Sequence, residues 1–386
     1  MNRKFKSIIV LSTVLIIALV FKSCNKDINV NAEWEDITVV FGLLDQNVDT
    51  QFVKINKAFL GEADAFDMAQ VRDSSEYQNI EATIEEWIDN QKLGVFNLVK
   101  YEVTNKEPGV FYAPNQTVYY FTKPTRLDSS AKYKLIVKIN SGTANEKILS
   151  AETELIDGFS FGSNYRRWTD NGSGKIAIEF ATTTEIEDRD FKINTQPDAK
   201  RYEVYGIFNY EDVYVSGSGT ATRPMSFEFR LGEYKAKNTD GGQEIIVALS
   251  GEQFLQEVGK NVPTVDNTDV EIVKRVVGDG SLQLKVVAAG EDLNTYMEVN
   301  EPTTGIVQEK KEFTNVTNGI GIFSARSSII GSLKLGEKTI KELMTGSLSS
   351  ELADDGIGYT VGRKFCNDDV STNQCESCNT ITSPCY

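Results

Sequence analysis

Period two dominates the chain from Trp34 onward. In AKYKLIVKIN (131–140), Tyr133, Leu135, Val137 and Ile139 fall on one face and Lys134 and Lys138 on the other, the alternation of an antiparallel strand with one wet side. NIEATIEEW (79–87) repeats it with Ile80, Ala82 and Ile84. DITVVFGLL (36–44), QFVKINKAF (51–59), KLGVFNLVKYEV (92–103), QTVYYFT (116–122) and EKILSAETELI (146–156) have the β-branched and aromatic content of strands. These runs, spaced by polar turns, predict an immunoglobulin-like β-sandwich over 35–156. ADAFDMAQVRDSSEY (63–77) interrupts them as a short helix or lid-like loop.

DGFSFGSN (157–164) reads as a boundary. Beyond it GKIAIEF, KRYEVYGIFNYEDVYV, MSFEFR, EIIVALS, SLQLKVVAAG and GIGIFSARS predict a second, larger β-rich, sandwich-like domain over 157–362. Three stretches change to a helical period: SGEQFLQEVGK (250–260), EDLNTYMEVN (291–300) and GEKTIKELMTG (336–346). Ser250 with Gln253 three residues on forms a capping box. The predicted class is therefore all-β in the main, with a few short helices, and a tail at 363–386.

The N-terminus follows a different rule. MNRKFK is a basic n-region, and SIIVLSTVLIIALVF (7–21) is apolar but short of the ~20 residues of a membrane span. Ser23 then precedes Cys24, the small residue before cysteine that a lipoprotein signal peptidase accepts, although Phe21 and Lys22 replace the usual aliphatic and small residues. This predicts a signal peptide at 1–23, a lipidated Cys24 and a polar tether over 24–34. The plainer alternative is an uncleaved anchor with an incidental cysteine. Five cysteines leave an odd one in an exported chain, and a lipidated Cys24 accounts for it. Two or three acyl chains hold a protein stably on a bilayer, where one is marginal.

Charge narrows the partners. The formal net charge is −16, and four of the 40 basic residues, but no acid, precede Cys24. The processed chain is more acidic still. Such a surface repels phosphate backbones, so nucleic acid is not an expected partner. The chain has no histidine. That excludes Ser-His-Asp and Cys-His nucleophile systems and imidazole-dependent zinc or iron sites. Carboxylate-only catalysis and calcium binding remain open. No cofactor and no metal are predicted.

The segment GEDLNTYMEVNEPTTGIVQEKKEFTNVTNGIGIFSARS (290–327) resembles the C-terminal half of a family of uncharacterised Bacteroidota lipoproteins, in which a tyrosine-bearing helix precedes an N-x-x-x-G-x-G-x-F segment. The matching residues are Tyr296, Asn315, Gly319, Gly321 and Phe323. SSAKYKLIVKINSGTANEKILSAET (129–153) is similar to the same family's first domain. The resemblance implies a surface lipoprotein with an N-terminal immunoglobulin-like domain, placed beside a TonB-dependent outer-membrane transporter. It supplies no catalytic residue. The early Lys26-Asp27 resembles the charged export signal of such surface lipoproteins.

Candidate chemistry is sparse. Cys366, Cys375, Cys378 and Cys385 crowd the tail in a C-x8-C-x2-C-x6-C spacing. After export the default is two disulfides in one of three connectivities, with a metal cluster and a mixed or intermolecular arrangement as the other readings. Asp45, Asn47 and Asp49 alternate like the start of a calcium loop but lack its glycine and distal glutamate; TEIEDRD (184–190) and DNTDVE (266–271) are similar acidic loops. Glu85-Glu86 is a candidate glycosidase pair only if the two line opposite walls of a cleft. Tyr202, Phe208, Tyr210 and Tyr214 share one face of their strand, Tyr205 and Ile207 the other, as a stacking platform or as a strand buried on both faces. The expected function is a non-enzymatic binding or accessory subunit, lipid-anchored in the outer membrane and facing the cell surface, or else the periplasm. The alternatives are a carboxylate-dependent, glycan-directed hydrolase and a purely structural or adhesive lipoprotein.

Overall fold

The computed structural model describes residues 37–58, 64–156, 161, 177–265, 271–301, 312–353 and 357–367. Among them the chain is mostly strand. The first eight strands are β1 (Ile37–Asp45), β2 (Thr50–Ala58), β3 (Ile80–Ile88), β4 (Gln91–Asn97), β5 (Val99–Val103), β6 (Gln116–Thr122), β7 (Lys132–Ile139) and β8 (Lys147–Glu154). They pair in the orders β1-β2-β6-β5 and β4-β3-β7-β8. In immunoglobulin lettering these are A-B-E-D and C′-C-F-G, the predicted sandwich. KLGVFNLVKYEV is two strands, since the chain changes sheets at Leu98, whose N–H bonds to Ala82 O. Tyr133 forms a tyrosine corner at the start of β7. Its hydroxyl accepts the Asp128 N–H at 2.8 Å and donates to Glu86 Oε1 at 2.8 Å. Burial, and then the Glu86 carboxylate, push the Tyr133 phenol well up.

The second half is organised by one long hairpin. β10 (Ala199–Ser216) pairs β11 (Gly219–Lys235) along its whole length. Its other edge is shared by β14 (Asp279–Gly290) over Ala199–Phe208 and β13 (Ile272–Val277) over Glu211–Tyr214. β15 (Ile320–Lys334) pairs β14, and β9 (Arg189–Asn194) pairs β12 (Glu244–Leu249) in a separate ribbon. Two helices supply the opposing layer, α3 (Gly251–Asn261) with Phe254, Leu255 and Val258, and α5 (Glu337–Thr345) with Ile340 and Leu343. α4 (Glu291–Asn300) follows β14, and two short helices, α1 (Ala65–Ala69) and α2 (Arg72–Ser75), lie between β2 and β3. Ser250 caps α3 through Gln253 N, as its sequence predicts, but the Gln253 amide turns to Arg230 O.

Several elements differ from the sequence expectation for identifiable reasons. Among the described residues of GKIAIEF, 177–180, Ile178 makes a β-bridge to Leu335 and none lies in a strand. The Phe180 N–H is taken by Thr339 Oγ1 instead of a strand. RDFKIN and IVKRVV, β9 and β13, carry charges that mask a strand pattern. In β13 the charge at Arg275 is itself internal, 2.8 Å from Asp212 Oδ1 and bonded to the Pro263 and Arg363 carbonyls. Residues 365–367, expected in the tail, form β16 (Phe365–Asn367), parallel to β13, with Phe365 in the second core.

One sheet crosses the expected boundary at 157. β1 pairs in parallel with β15, from Val39↔Ile320 to Asp45↔Arg326. Phe323 and Ala325 of β15 enter the same core as Val40, Ile84 and Leu135. Gly321 lies at φ +110, where a Cβ would overlap the Val40 carbonyl. Gly42 leaves room for the Phe323 ring, which a Cβ would meet at 2.8 Å. Asn315 clips this strand from the side, accepting Phe323 N–H at 2.9 Å and donating to Phe323 O at 2.7 Å.

A Gly321→Ala change combines backbone strain with a steric overlap in the centre of a sheet. It is expected to destabilise the protein by at least about 3 kcal/mol, read as a lowered urea midpoint. Gly142→Ala, also at positive φ but in an open turn, is the milder control.

Candidate functional site

The two outer faces of the first sandwich differ sharply in chemistry. On β3, β4, β7 and β8 the outward positions carry Lys–Glu pairs, with Leu93, Val95 and Ile148 exposed among them. Lys92 meets Glu85 at 2.9 Å, Lys134 meets Glu152 at 3.3 Å and Lys132 meets Glu154 at 3.3 Å. This is a solvated face. On β1, β2, β5 and β6 the outward positions include Phe41, Phe52, Val99, Tyr101, Val118 and Tyr120, with Lys54 bonded to Gln116 among them. Phe52, Val99 and Tyr101 each expose about half of their surface.

These aromatic groups are organised. The Tyr120 ring lies 6.0 Å from Phe52 and 5.9 Å edge-on from Tyr101. The register places Phe52 opposite Tyr120, and Tyr120 opposite Val99. The surface continues across β1 to Phe41, which meets Tyr296 of α4 edge-on at 6.1 Å. There a groove of about 260 Å³ opens between α4 and the sheet, lined by Val39, Phe41, Tyr296, Phe313 and Ile320. Burial raises the Tyr296 phenol, so it stays neutral. The platform is therefore mainly aromatic, with phenol hydroxyls and the Lys54–Gln116 pair at intervals, suited to stacking and to hydrogen bonding at a protein interface. The sequence reading missed it. The signal was present as YY in QTVYYFT and as Phe52 and Tyr101 on the wet side of their alternations.

The predicted site residues fall elsewhere. Cys24 lies outside the described residues, as do Cys375, Cys378 and Cys385; Cys366 is buried in β16 opposite Val276. Asp45 is almost wholly buried, accepting from Asn47 N and Ser328 Oγ. Asn47 donates to Ser327 Oγ and Ser328 O. The loop thus fastens β1 to β15. Glu85 and Glu86 point to opposite faces, Glu85 to Lys92 and Glu86 inward to Tyr133 and Lys123, so they do not form a catalytic pair. In the 184–190 loop Asp188 accepts the Gly251 N–H at the start of α3; 266–270 is not described. Tyr202, Phe208 and Tyr210 are buried core, and Tyr205, Ile207 and Tyr214 are half-buried. Asn315, Gly319, Gly321 and Phe323 form the β1–β15 seam, while Tyr296 borders the groove.

A second cavity of about 250 Å³ is walled by Glu152, Glu154, Asp198, Glu291 and Asp292 against Lys132. Burial, and then Glu154, raise the Asp198 carboxyl. Among the described residues no three Asp, Glu or Cys groups are placed to hold a metal ion. No described helix is long and apolar enough to cross a membrane.

At one end of the sandwich α1 and α2 lie against the 104–115 loop. Tyr112 N–H donates to Ala69 O at 2.9 Å, and the Gln70 amide to Gly109 O at 3.0 Å. Arg72 bridges Glu76 and Glu102. Glu76 also accepts the Thr117 N–H and hydroxyl. Burial alone pushes the Glu76 carboxyl up, but bonds from Arg72 and Thr117 outweigh it and hold the group below its ordinary 4.5.

No known protein family matches the chain by sequence, and no curated protein matches it. Among solved structures there is a faint likeness to the C-terminal globular domain of an oligosaccharyltransferase from Pyrococcus abyssi, with 11% identity and a TM-score of 0.18 over 78% of this chain and 49% of that chain. The chain thus spans about half the length of that structure, and a likeness so low carries no argument.

A depressed carboxylate stabilises the fold above its unfolded pKa, and the gain is lost as pH falls through the folded value. Glu76→Gln is therefore expected to cost on the order of 1 kcal/mol at pH 7. The difference from wild type is expected to shrink below pH 4.5 and to vanish once Glu76 is protonated in the folded state. Urea midpoints of both proteins between neutral and acid pH measure this.

Proposed function

We propose that this protein is a lipid-anchored outer-membrane binding subunit. Its apolar platform on β1, β2, β5 and β6 docks against a partner, which we take to be a TonB-dependent β-barrel transporter. The observation that carries the docking is the asymmetry of the first sandwich. One outer face mixes Lys–Glu pairs with exposed Leu93, Val95 and Ile148, while the other bears rings in contact, Phe52 and Tyr101 against Tyr120 and Phe41 against Tyr296. Exposed aromatic clusters of this kind mark interaction surfaces. The anchoring rests on Cys24 behind a basic and apolar leader. The transporter follows from the resemblance carried by Tyr296, Asn315, Gly319, Gly321 and Phe323. The absence of histidine removes the commonest hydrolytic machineries, which favours binding over catalysis.

Affinity purification from native membranes in gentle detergent, with the protein carrying a C-terminal tag, tests the reading. A stoichiometric β-barrel partner is expected by mass spectrometry. Phe52→Asp combined with Tyr101→Asp is expected to reduce its recovery at least about tenfold while leaving the fold intact by circular dichroism. Recovery of the protein alone, even after cross-linking, would falsify the proposal.

A further inference from the structure

The ends of the sandwich are distinguished by its pairings. Ile37, where β1 begins, sits opposite Ala58, where β2 ends. Val103 sits opposite Gln116, and Lys54 reaches Gln116 Oε1 at 3.0 Å. The start of β1, the loop bearing α1 and α2, and the 104–115 loop therefore lie at one end. The Asp45–Thr50 and Ile88–Gln91 turns lie at the other.

That first end is unusually apolar for a loop region. Phe66 is 67% exposed, Val71 54%, Val110 50% and Phe111 56%. They do not hang on loose chain. The two loops are bonded to each other through Tyr112 and Gln70, Arg72 ties α2 to Glu102 of β5, and the Lys106 ammonium sits 5.6 Å over the Phe111 ring. Rigid loops that hold large apolar side chains out of the core need a surface to receive them.

The chain outside the described residues points to that surface. Cys24 precedes Ile37 by 13 residues, which at ~3.5 Å per residue span at most about 45 Å. A bilayer holding Cys24 is thus within reach of the very end that displays Phe66, Val71, Val110 and Phe111. We infer that this loop end inserts into the interfacial layer of the membrane that the tether reaches, with Phe66 and Phe111 as wedges. The inference rests on the lipid-anchor reading of Cys24 for proximity. It orients the sandwich end-on to the bilayer and leaves the Phe52–Tyr120–Tyr101 platform facing sideways, toward a neighbour in the same membrane. Asp64, Asp67, Asp73 and Glu107 share these loops, so the attraction is apolar and independent of anionic lipid.

The full chain reconstituted into vesicles of dibrominated phosphatidylcholine tests this. Phe111→Trp places a fluorophore at the wedge, and Ile246→Trp places one at an exposed site on β12 of the second half. The background is the wild-type emission of Trp34, Trp87 and Trp168. The added emission of the Phe111→Trp protein is expected to be quenched at least about twofold more than that of Ile246→Trp, with no change between low and high salt. Equal quenching of the two overturns the inference, as does quenching that salt abolishes. The mass of the purified chain reports acylation of Cys24 separately. An acylated chain with an unquenched wedge refutes the insertion and leaves the anchor standing. An unacylated chain refutes the anchor, and the quenching still decides the loops. Phe66→Ser with Phe111→Ser in the same assay is expected to restore water exposure at a Val110→Trp reporter.

Discussion

The structure depends on a close approach of two backbones, β1 and β15. Parallel pairing of strands so far apart in sequence has no hairpin to set its register. Here the register is set by shape. Gly321 occupies a conformation closed to other residues, against the Val40 carbonyl. Gly42 admits the Phe323 ring, and Asn315 grips both backbone polar groups of Phe323. A one-residue slip would move Phe323 and Ala325 out of the core they share with Val40 and Leu135. The Asp45–Asn47 turn adds a second fastening through Ser327 and Ser328. The two halves of the chain thus share a sheet as well as a covalent link.

This seam also accounts for where the candidate surface lies. Because β15 completes the sheet on one side of β1, α4 falls across that outer face and Tyr296 meets Phe41. The groove exists because a helix of the second half overhangs a sheet of the first. Beyond the helix nothing among the described residues covers Phe52, Tyr101 and Val99. The opposite sheet sets Lys–Glu pairs, each of small energetic value, around the exposed Leu93, Val95 and Ile148 on its outer face. One sandwich therefore presents one face of mixed ion pairs and apolar groups and one face of contacting aromatic rings.

The second half holds buried charge in a similar fixing role. Arg275 and Asp212 are almost wholly buried and satisfied. Arg275 bonds Asp212 and two carbonyls, and Arg223 takes the other Asp212 oxygen. Such a pair adds little net stability but penalises any arrangement that separates it. It ties β10, β11 and β13 to the segment that leads into β16. Arg201 does the same near α4, through Asn294, Glu233 and Glu301.

Much of the fold was legible in the chain. The alternation of Tyr133, Leu135, Val137 and Ile139 specified a half-buried strand, and six companions of similar pattern specified a sandwich. Local period and turn chemistry carry that information without reference to distant residues. The same locality explains what was missed. Nothing local to Arg275 marks it as buried, since its partner Asp212 lies 63 residues away. Glu179 caps the start of α5 by accepting Thr339 N–H at 3.0 Å from 160 residues away, a task that the Gly336 at its N-cap has no side chain to perform. Glu85 and Glu86 were adjacent in sequence, yet strand geometry sent them to opposite faces. Among the aromatics, Tyr202 and Phe208 went inside while Phe52 and Tyr101 stayed out. That choice depends on whether a second layer packs over the strand, which composition does not encode. The sequence by itself determined most of the strands, their inward faces and the acidic, histidine-free character of the chain. Tertiary structure alone decided which halves shared a sheet, which charges were buried and which apolar face was left uncovered, because burial is a property of packed layers and not of a single chain segment.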